Sequence, residues 1–134
     1  MYVNMPLAEL KKLGFKCTMG QIYETCQPPA DDKRFATIGG APVKEIGVVI
    51  NQGKVNLIRI ETIGAYWDEL KEAMIKNYGK PKKNSRVSAL WDRGGAEFIS
   101  AGVSKGKVEV IFGYSEFDSE QRIKERAKNG AKDF

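Results

Sequence analysis

Carboxylates are the side chains of this sequence that are best placed to do chemistry. The 134 residues include no histidine, which removes the commonest general base and the Ser-His and Cys-His nucleophile pairs. Asp31 and Asp32 could bind a cation as a pair, but no further ligands are spaced around them, so we expect no metal. Asp92 and Glu97 flank a glycine turn, where a charge pair with Arg93 explains them more simply than acid–base catalysis. These residues favour a protein that is not an enzyme and needs no cofactor.

The two cysteines, Cys17 and Cys26, flank a predicted helix. Because the chain lacks histidine, a Cys/His zinc site is excluded. Their spacing is compatible with a disulfide in an oxidising compartment, and equally with two buried thiols in the cytoplasm. If Met1 is the native start, the missing apolar leader predicts a cytoplasmic protein, whereas removal of a leader would predict the periplasm. No apolar run approaches the ~20 residues that a membrane helix needs.

A basic segment is the second candidate site. The formal net charge is +5, and the positive charge is densest at four residues: Lys80, Lys82, Lys83 and Arg86. Such a segment can attract phosphates or an acidic partner, although a solvated loop is the more common explanation. A nucleic-acid or phosphate-binding module that uses residues 80–86 and a C-terminal helix is therefore our alternative function.

Apolar periodicity predicts three helices in the first 80 residues and a fourth near the end of the chain. The strongest helix spans residues 65–78, where Trp67, Leu70 and Met74 form one apolar stripe. Thr18 is a plausible N-cap for a second helix, which two consecutive prolines would end. The remaining helices are predicted at residues 7–13, residues 19–26 and, as a polar segment, residues 115–129.

Runs of alternating apolar residues between these helices predict antiparallel strands joined by glycine turns. The strands are predicted at residues 35–38, 43–50, 55–62, 87–92, 96–103 and 107–115. One hairpin pattern occurs twice, because residues 51–58 reappear as residues 104–111 with the same Gly-Lys-Val sequence. We therefore predict one domain over residues 1–134, built from two copies of a helix-then-strands unit at residues 7–62 and 64–115.

The second copy also shows a motif around a glycine and a proline. A helix ends in Tyr78, Gly79 and Pro81, Trp91 lies in the next strand, and the Gly-Lys-Val hairpin follows. Repeated twice, this pattern resembles the tandem-repeat architecture of β-lactamase inhibitor proteins. It is also similar to SmpA/OmlA-type domains, which belong to lipoproteins of outer-membrane assembly.

This resemblance implies an α+β fold with one layered antiparallel sheet. Its helices would pack on one face of the sheet, and the other face would remain available for a protein partner. The C-terminal helix would be an addition that only the second copy carries. No lipid-attachment cysteine follows a leader here, so the resemblance does not extend to membrane anchoring.

Strand alternation selects candidate residues for the uncovered face. Val108 faces the predicted core in the last strand, and the alignment of the two copies places Val55 with it. Three residues then share the opposite face as an apolar patch: Ile58, Ile60 and Ile111. An apolar patch of this kind binds partners. The alternatives are that both faces are covered or that a bulge shifts the register.

Tyr66 and Trp91 are candidate partner anchors, because exposed aromatic residues often dominate binding energy. Core packing is the alternative for Trp91, since it lies within a predicted strand. Together with the uncovered face and its loops, these residues predict a non-enzymatic protein-binding or inhibitor module with a protein partner of unknown identity. A phage- or prophage-type antagonist of a host enzyme would be one form of such a module.

Overall fold

The computed structural model describes residues 1–114, and the predicted helix at residues 115–129 lies outside the described residues. Residues 1–114 contain two helices, α1 (Leu7–Lys12) and α2 (Trp67–Tyr78), and short 3-10 turns at Lys33–Phe35 and Gly64–Tyr66. The strands are β1 (Lys16–Met19), β2 (Glu24–Gln27), β3 (Thr37–Ile38), β4 (Ala41–Asn51), β5 (Lys54–Ile63), β6 (Lys83–Asn84), β7 (Ser88–Gly94), β8 (Glu97–Ser104) and β9 (Lys107–Tyr114).

The strands form a mostly antiparallel sheet with the order β1-β2-β4-β5-β9-β8-β7-β6, and β3 pairs with β4 outside this path. This architecture confirms the α+β class at the level of a sheet with helices. The two long hairpins, β4–β5 and β8–β9, turn at Gly53 and Gly106, as the sequence pattern predicts. The second strands of these hairpins, β5 and β9, pair with each other and so join the N-terminal and C-terminal halves.

The core lies on one face of this sheet, which we call the covered face. Residues directly opposite one another in antiparallel strands share a face, and one such row runs from β2 to β7 through Cys26, Val48, Ile58, Phe112, Ile99 and Trp91. Leu10 of α1 and Leu70 of α2 are fully buried in the same apolar cluster. Both helices therefore bury their apolar side chains on the covered face.

A β-bulge at Asn56 sets the register of β5. Near the hairpin turn Ile50 lies opposite Val55, but one pair further along Val49 lies opposite Leu57. Asn56 is the extra residue between these two pairs, and an extra residue reverses the facing of all the side chains that follow it.

The bulge places Ile58 and Ile60 on the covered face, where they are buried and lie opposite Phe112 and Val110. The prediction that both share an uncovered apolar patch with Ile111 is therefore wrong. It assumed that side chains alternate without interruption along β5. Of the three isoleucines, only Ile111 lies on the opposite face.

A hairpin replaces the helix that was predicted over residues 19–26. β1 and β2 pair antiparallel, with Cys17 opposite Cys26, and the two cysteines form a disulfide. The Gly20 amide donates a hydrogen bond to the Tyr23 carbonyl oxygen at 2.9 Å and closes the turn. A helix this short has little intrinsic stability, so the disulfide and the pairing of β2 with β4 favour the hairpin.

The apolar residues that suggested this helix do not all enter the core. Met19 and Ile22 are 72% and 79% exposed near the tip of the β1–β2 hairpin, whereas Cys26 is buried. The periodic spacing of apolar residues in this segment therefore does not mark one buried helix face. It combines the buried Cys26 with apolar side chains that are exposed near the hairpin tip.

Reduction of the Cys17–Cys26 disulfide should destabilise the fold. The bond has a sequence separation of 9, and closing a loop of this length contributes about 2.5 kcal/mol to the free energy of unfolding in the chain-entropy account. Urea unfolding with and without reductant measures this difference. The Cys17→Ala/Cys26→Ala double variant should not respond to reductant, and equal midpoints for the oxidised and reduced wild type would contradict the prediction.

Two glycines that contact different surroundings provide a matched test of packing. A Cβ at Gly64 would lie 2.8 Å from the Gly106 carbonyl carbon, whereas a Cβ at Gly47 in β4 would meet nothing within 4 Å. Gly64→Ala should therefore lower the free energy of unfolding by about 1–3 kcal/mol, because backbone must shift. Gly47→Ala should leave it unchanged or raise it by up to about 1 kcal/mol. Equal unfolding midpoints for the two variants would contradict this assignment.

Candidate functional site

The side chains on the other side of the sheet form a surface that we call the open face. Its members in the five central strands include Glu45, Gly47, Val49, Leu57, Arg59, Glu61, Ile63, Lys107, Glu109, Ile111, Gly113, Phe98, Ser100, Gly102, Ser88, Leu90 and Asp92. All are exposed or half-buried except Gly113. Because α1 and α2 bury their apolar side chains on the covered face, no helix within residues 1–114 covers the open face.

Arg59 lies at the centre of the open face and organises its charges. Its Nε donates a hydrogen bond to Glu109 Oε2 at 2.5 Å, and its Nη2 lies 3.6 Å from Glu61 Oε1. Lys107 Nζ lies 3.7 Å from the same Glu61 oxygen. The hydrogen bond to Glu109 raises the pKa of Arg59 above its ordinary value, so this cation stays charged at any physiological pH.

This ion-pair network adds little to stability. The side chain of Arg59 is 38% exposed, and exposed ion pairs typically contribute up to about 1 kcal/mol. Stability alone therefore explains little of why these charges are ordered on the open face.

Apolar side chains lie on the same face around the charges. Leu57, Phe98 and Ile111 are half-buried, and the Phe98 ring lies over Gly113, where a side chain would collide with it. Small residues, including Gly47, occupy other positions between the larger side chains. The open face is thus a shallow surface in which an ion-paired centre meets exposed apolar area.

The two aromatic candidates, Trp91 and Tyr66, differ in how far they are buried. Trp91 is 2% exposed, and its indole Nε1 donates a hydrogen bond to the Gly79 carbonyl oxygen at 2.8 Å. It is inaccessible to a partner, so its placement is corrected from candidate anchor to core residue. Tyr66 ends the 3-10 turn before α2 and is half-buried.

The basic segment is exposed between α2 and β7. All four predicted cations are exposed: Lys80, Lys82, Lys83 and Arg86. The segment is tied to α2 by two hydrogen bonds, from Trp67 Nε1 to the Arg86 carbonyl oxygen and from Lys71 Nζ to the Ser85 carbonyl oxygen. Lys82 Nζ also lies 3.6 Å from Asp92 Oδ2. Asp92 therefore pairs with Lys82, and not with Arg93 as the sequence suggested.

A cleft of about 440 Å³ lies over the centre of the covered face. Ile58, Ile60 and Phe112 are among the side chains that line it on the sheet. Phe35 lines it on the N-terminal side, and Tyr78 lines it at the C-terminal end of α2. The predictions from sequence did not include this cleft, because its walls come from segments that are far apart in the chain.

Two arginines line the cleft, and they differ in their partners. Arg34 Nη2 donates hydrogen bonds to Asp32 Oδ2 and to the Leu13 carbonyl oxygen, both at 2.6 Å. The Arg93 guanidinium instead lies 5.0 Å from the centre of the Tyr78 ring. Neither arginine lies in a sequence motif that would mark a binding site. For this reason neither residue was selected as a candidate from the sequence.

Asp32 has a local structural role. Its Oδ1 accepts a hydrogen bond from the Arg34 amide at 3.0 Å and caps the 3-10 turn at Lys33–Phe35. Hydrogen bonds from the Arg34 side chain and backbone hold the pKa of the Asp32 carboxyl below its ordinary value. Within residues 1–114, no group of three or more acidic, cysteine or histidine residues is arranged to hold a metal ion.

Comparisons of the chain with protein-family models, with curated proteins and with solved structures found no match. The resemblance to β-lactamase inhibitor proteins and SmpA/OmlA-type domains therefore stays a prediction. Among the described residues, no helix has the length and apolar character needed to cross a membrane.

The Asp32 carboxyl should titrate below the ordinary range of an aspartate. Because its pKa is lowered in the folded state, its pairing with Arg34 stabilises the fold above the unfolded-state pKa, and this contribution is lost as the pH falls through the folded-state pKa. Carbon-detected NMR titration of the side-chain carboxyl measures the midpoint. Arg34→Gln should raise that midpoint, and an unchanged midpoint in this variant would contradict the assigned cause.

Proposed function

We propose that this protein is a non-enzymatic protein-binding or inhibitor module and that the open face is its contact surface. The observation that supports the proposal is a five-stranded surface with ordered charges and half-buried apolar side chains, which no helix within residues 1–114 covers. An apolar surface of this kind on a folded domain marks a site of interaction.

The composition of the open face matches that of a protein interface. Interface centres combine apolar and aromatic side chains with arginine, and a few such residues supply most of the binding energy. Here Phe98 and Leu57 supply apolar area, and Arg59 supplies a cation held in place by Glu109. A partner that fits would place an acidic side chain near Arg59 and apolar side chains against Leu57 and Phe98.

The basic segment at residues 80–86 supports the alternative function less well. Lys82 already pairs with Asp92, and the segment contains no aromatic residue on which a base could stack. Binding of single-stranded nucleic acid normally combines basic residues with stacking platforms. The segment is therefore better explained as a connection between α2 and β7 whose charged side chains are solvated.

The proposed fold is a tandem repeat, as the sequence suggested. Each half begins with a helix and ends in a long hairpin, which supports this proposal. On this proposal the resemblance to β-lactamase inhibitor proteins supplies the class of partner, which is a protein bound on the uncovered sheet. A phage- or prophage-type antagonist of a host enzyme is one form of such a module.

The Cys17–Cys26 disulfide supports the proposal that the protein works in an oxidising compartment. Structural disulfides form and persist in oxidising environments and are rare where cellular thiols are kept reduced. We therefore favour the periplasm or another oxidising compartment over the cytoplasm.

Affinity capture with matched variants tests the open face. The bait protein should retain one protein partner from its source cells, and Leu57→Lys or Ser100→Arg should weaken that binding at least tenfold, because each places a bulky cation on the contact surface. Lys80→Glu/Arg86→Glu is the control, because both residues are exposed in the basic segment and lie outside the strands of the sheet, and it should retain the partner at wild-type affinity. Thermal unfolding of each variant checks that the fold is intact.

The same variants distinguish the alternative function. If the Lys80→Glu/Arg86→Glu variant loses its partner while both open-face variants keep theirs, the open-face proposal is wrong. A nucleic-acid partner would further show a steep loss of affinity between about 50 and about 200 mM salt. Turnover of a substrate that depends on a single carboxylate would contradict the non-enzymatic assignment.

A further inference from the structure

The cleft on the covered face has the size and lining of a small-molecule site. Its volume of about 440 Å³ falls in the range of roughly 300–1,000 Å³ that ligand pockets occupy. Ile58 and Ile60 form part of an apolar floor, and the rings of Tyr78 and Phe112 meet edge to face with centres 6.2 Å apart. An extended hydrocarbon chain fits such a lining, because every buried methylene gains free energy by leaving water.

One cation in the cleft is available for a ligand. Arg93 forms no ion pair within residues 1–114, and its contact with the Tyr78 ring places the guanidinium beside the apolar lining. Arg34 is already committed to Asp32 and to a backbone carbonyl. Glu97 also lines the cleft, but no ion pair joins it to Arg93. The cleft therefore combines an apolar lining with the guanidinium of Arg93, which forms no ion pair among the described residues.

We propose that the cleft binds a single-chain carboxylic acid of medium length. The chain lies over Ile58 and Ile60, and the carboxylate accepts hydrogen bonds from Arg93. The planar guanidinium fork suits a carboxylate, with which it forms two parallel hydrogen bonds. This site goes beyond the proposed protein-binding function, since its floor of Ile58 and Ile60 lies on the opposite face of the sheet from Arg59. Phe98 and Gly113 also line the cleft, so the variants that test the cleft are made at other residues.

Isothermal titration calorimetry of the full chain with hexanoate, octanoate, decanoate and dodecanoate tests the apolar part of the site. Affinity should rise about fourfold per added methylene while the chain still fits the cleft. Dodecanol should bind about tenfold more weakly than dodecanoate, because it cannot form the charged hydrogen bonds. No binding of any acid by the folded protein overturns the proposal, and so does tighter binding of dodecyl phosphate than of dodecanoate.

Three variants test the placement of the ligand. Arg93→Gln should weaken dodecanoate binding about tenfold and leave dodecanol binding unchanged. Arg86→Gln is the matched control, because it removes an exposed arginine outside the cleft, and it should bind both probes as the wild type does. Ile38→Trp places a larger side chain in the lining and should abolish the binding of both probes.

The variants also separate other occupants of the cleft. If Arg93→Gln and the wild type bind dodecanoate equally, the arginine is not the head-group site and the proposal is wrong. If no probe binds and Ile38→Trp converts a dimer into a monomer by size-exclusion chromatography with light scattering, a second copy of the chain occupies the cleft and the proposal is also overturned. Because capture on the open face is measured separately, failure of this site leaves the result for the proposed function unaffected.

Discussion

The pairing of β5 with β9 is the interaction on which the rest of the structure depends. It joins the N-terminal and C-terminal halves through backbone pairing, and it fixes the rows that run across the sheet. The bulge at Asn56 determines which side chains of β5 enter those rows on the covered face. With that register, Ile58 and Ile60 belong to the core, and Arg59 faces away from it. The central strand thereby sets both the hydrophobic core and the charge on the open face.

The two faces consequently differ in what they contribute. The covered face carries the buried apolar side chains and both helices. The apolar character of its residues is therefore explained by their contribution to the stability of the fold. The ion pairs of Arg59 are too exposed to be explained in that way, since they supply at most about 1 kcal/mol. On the function proposed above, their order serves the recognition of a protein partner. The cleft is the exception to this packing on the covered face. Its apolar lining and Arg93 surround a space that no side chain of residues 1–114 fills.

Local sequence signals predicted much of the fold. The stripe of Trp67, Leu70 and Met74 located α2, and the glycine turns located both long hairpins, because these features depend on neighbouring residues. The helix predicted over residues 19–26 failed, since its apolar spacing competes with a disulfide and a pairing to β4. The facing of Ile58 depends on one extra residue, which alternation alone does not reveal. The cleft escaped prediction because its walls meet only in the folded chain.

A pair of identical substitutions on the two faces tests the central claim most directly. Ile60→Asp introduces a charge on the covered face, and Ile111→Asp introduces the same charge on the open face, so chemical denaturation compares one change in two environments. We expect Ile60→Asp to lower the free energy of unfolding by at least about 4 kcal/mol or to prevent folding, and Ile111→Asp to lower it by about 1 kcal/mol or less. Comparable losses in the two variants, or a larger loss for Ile111→Asp, would contradict the assigned register and the existence of an open face.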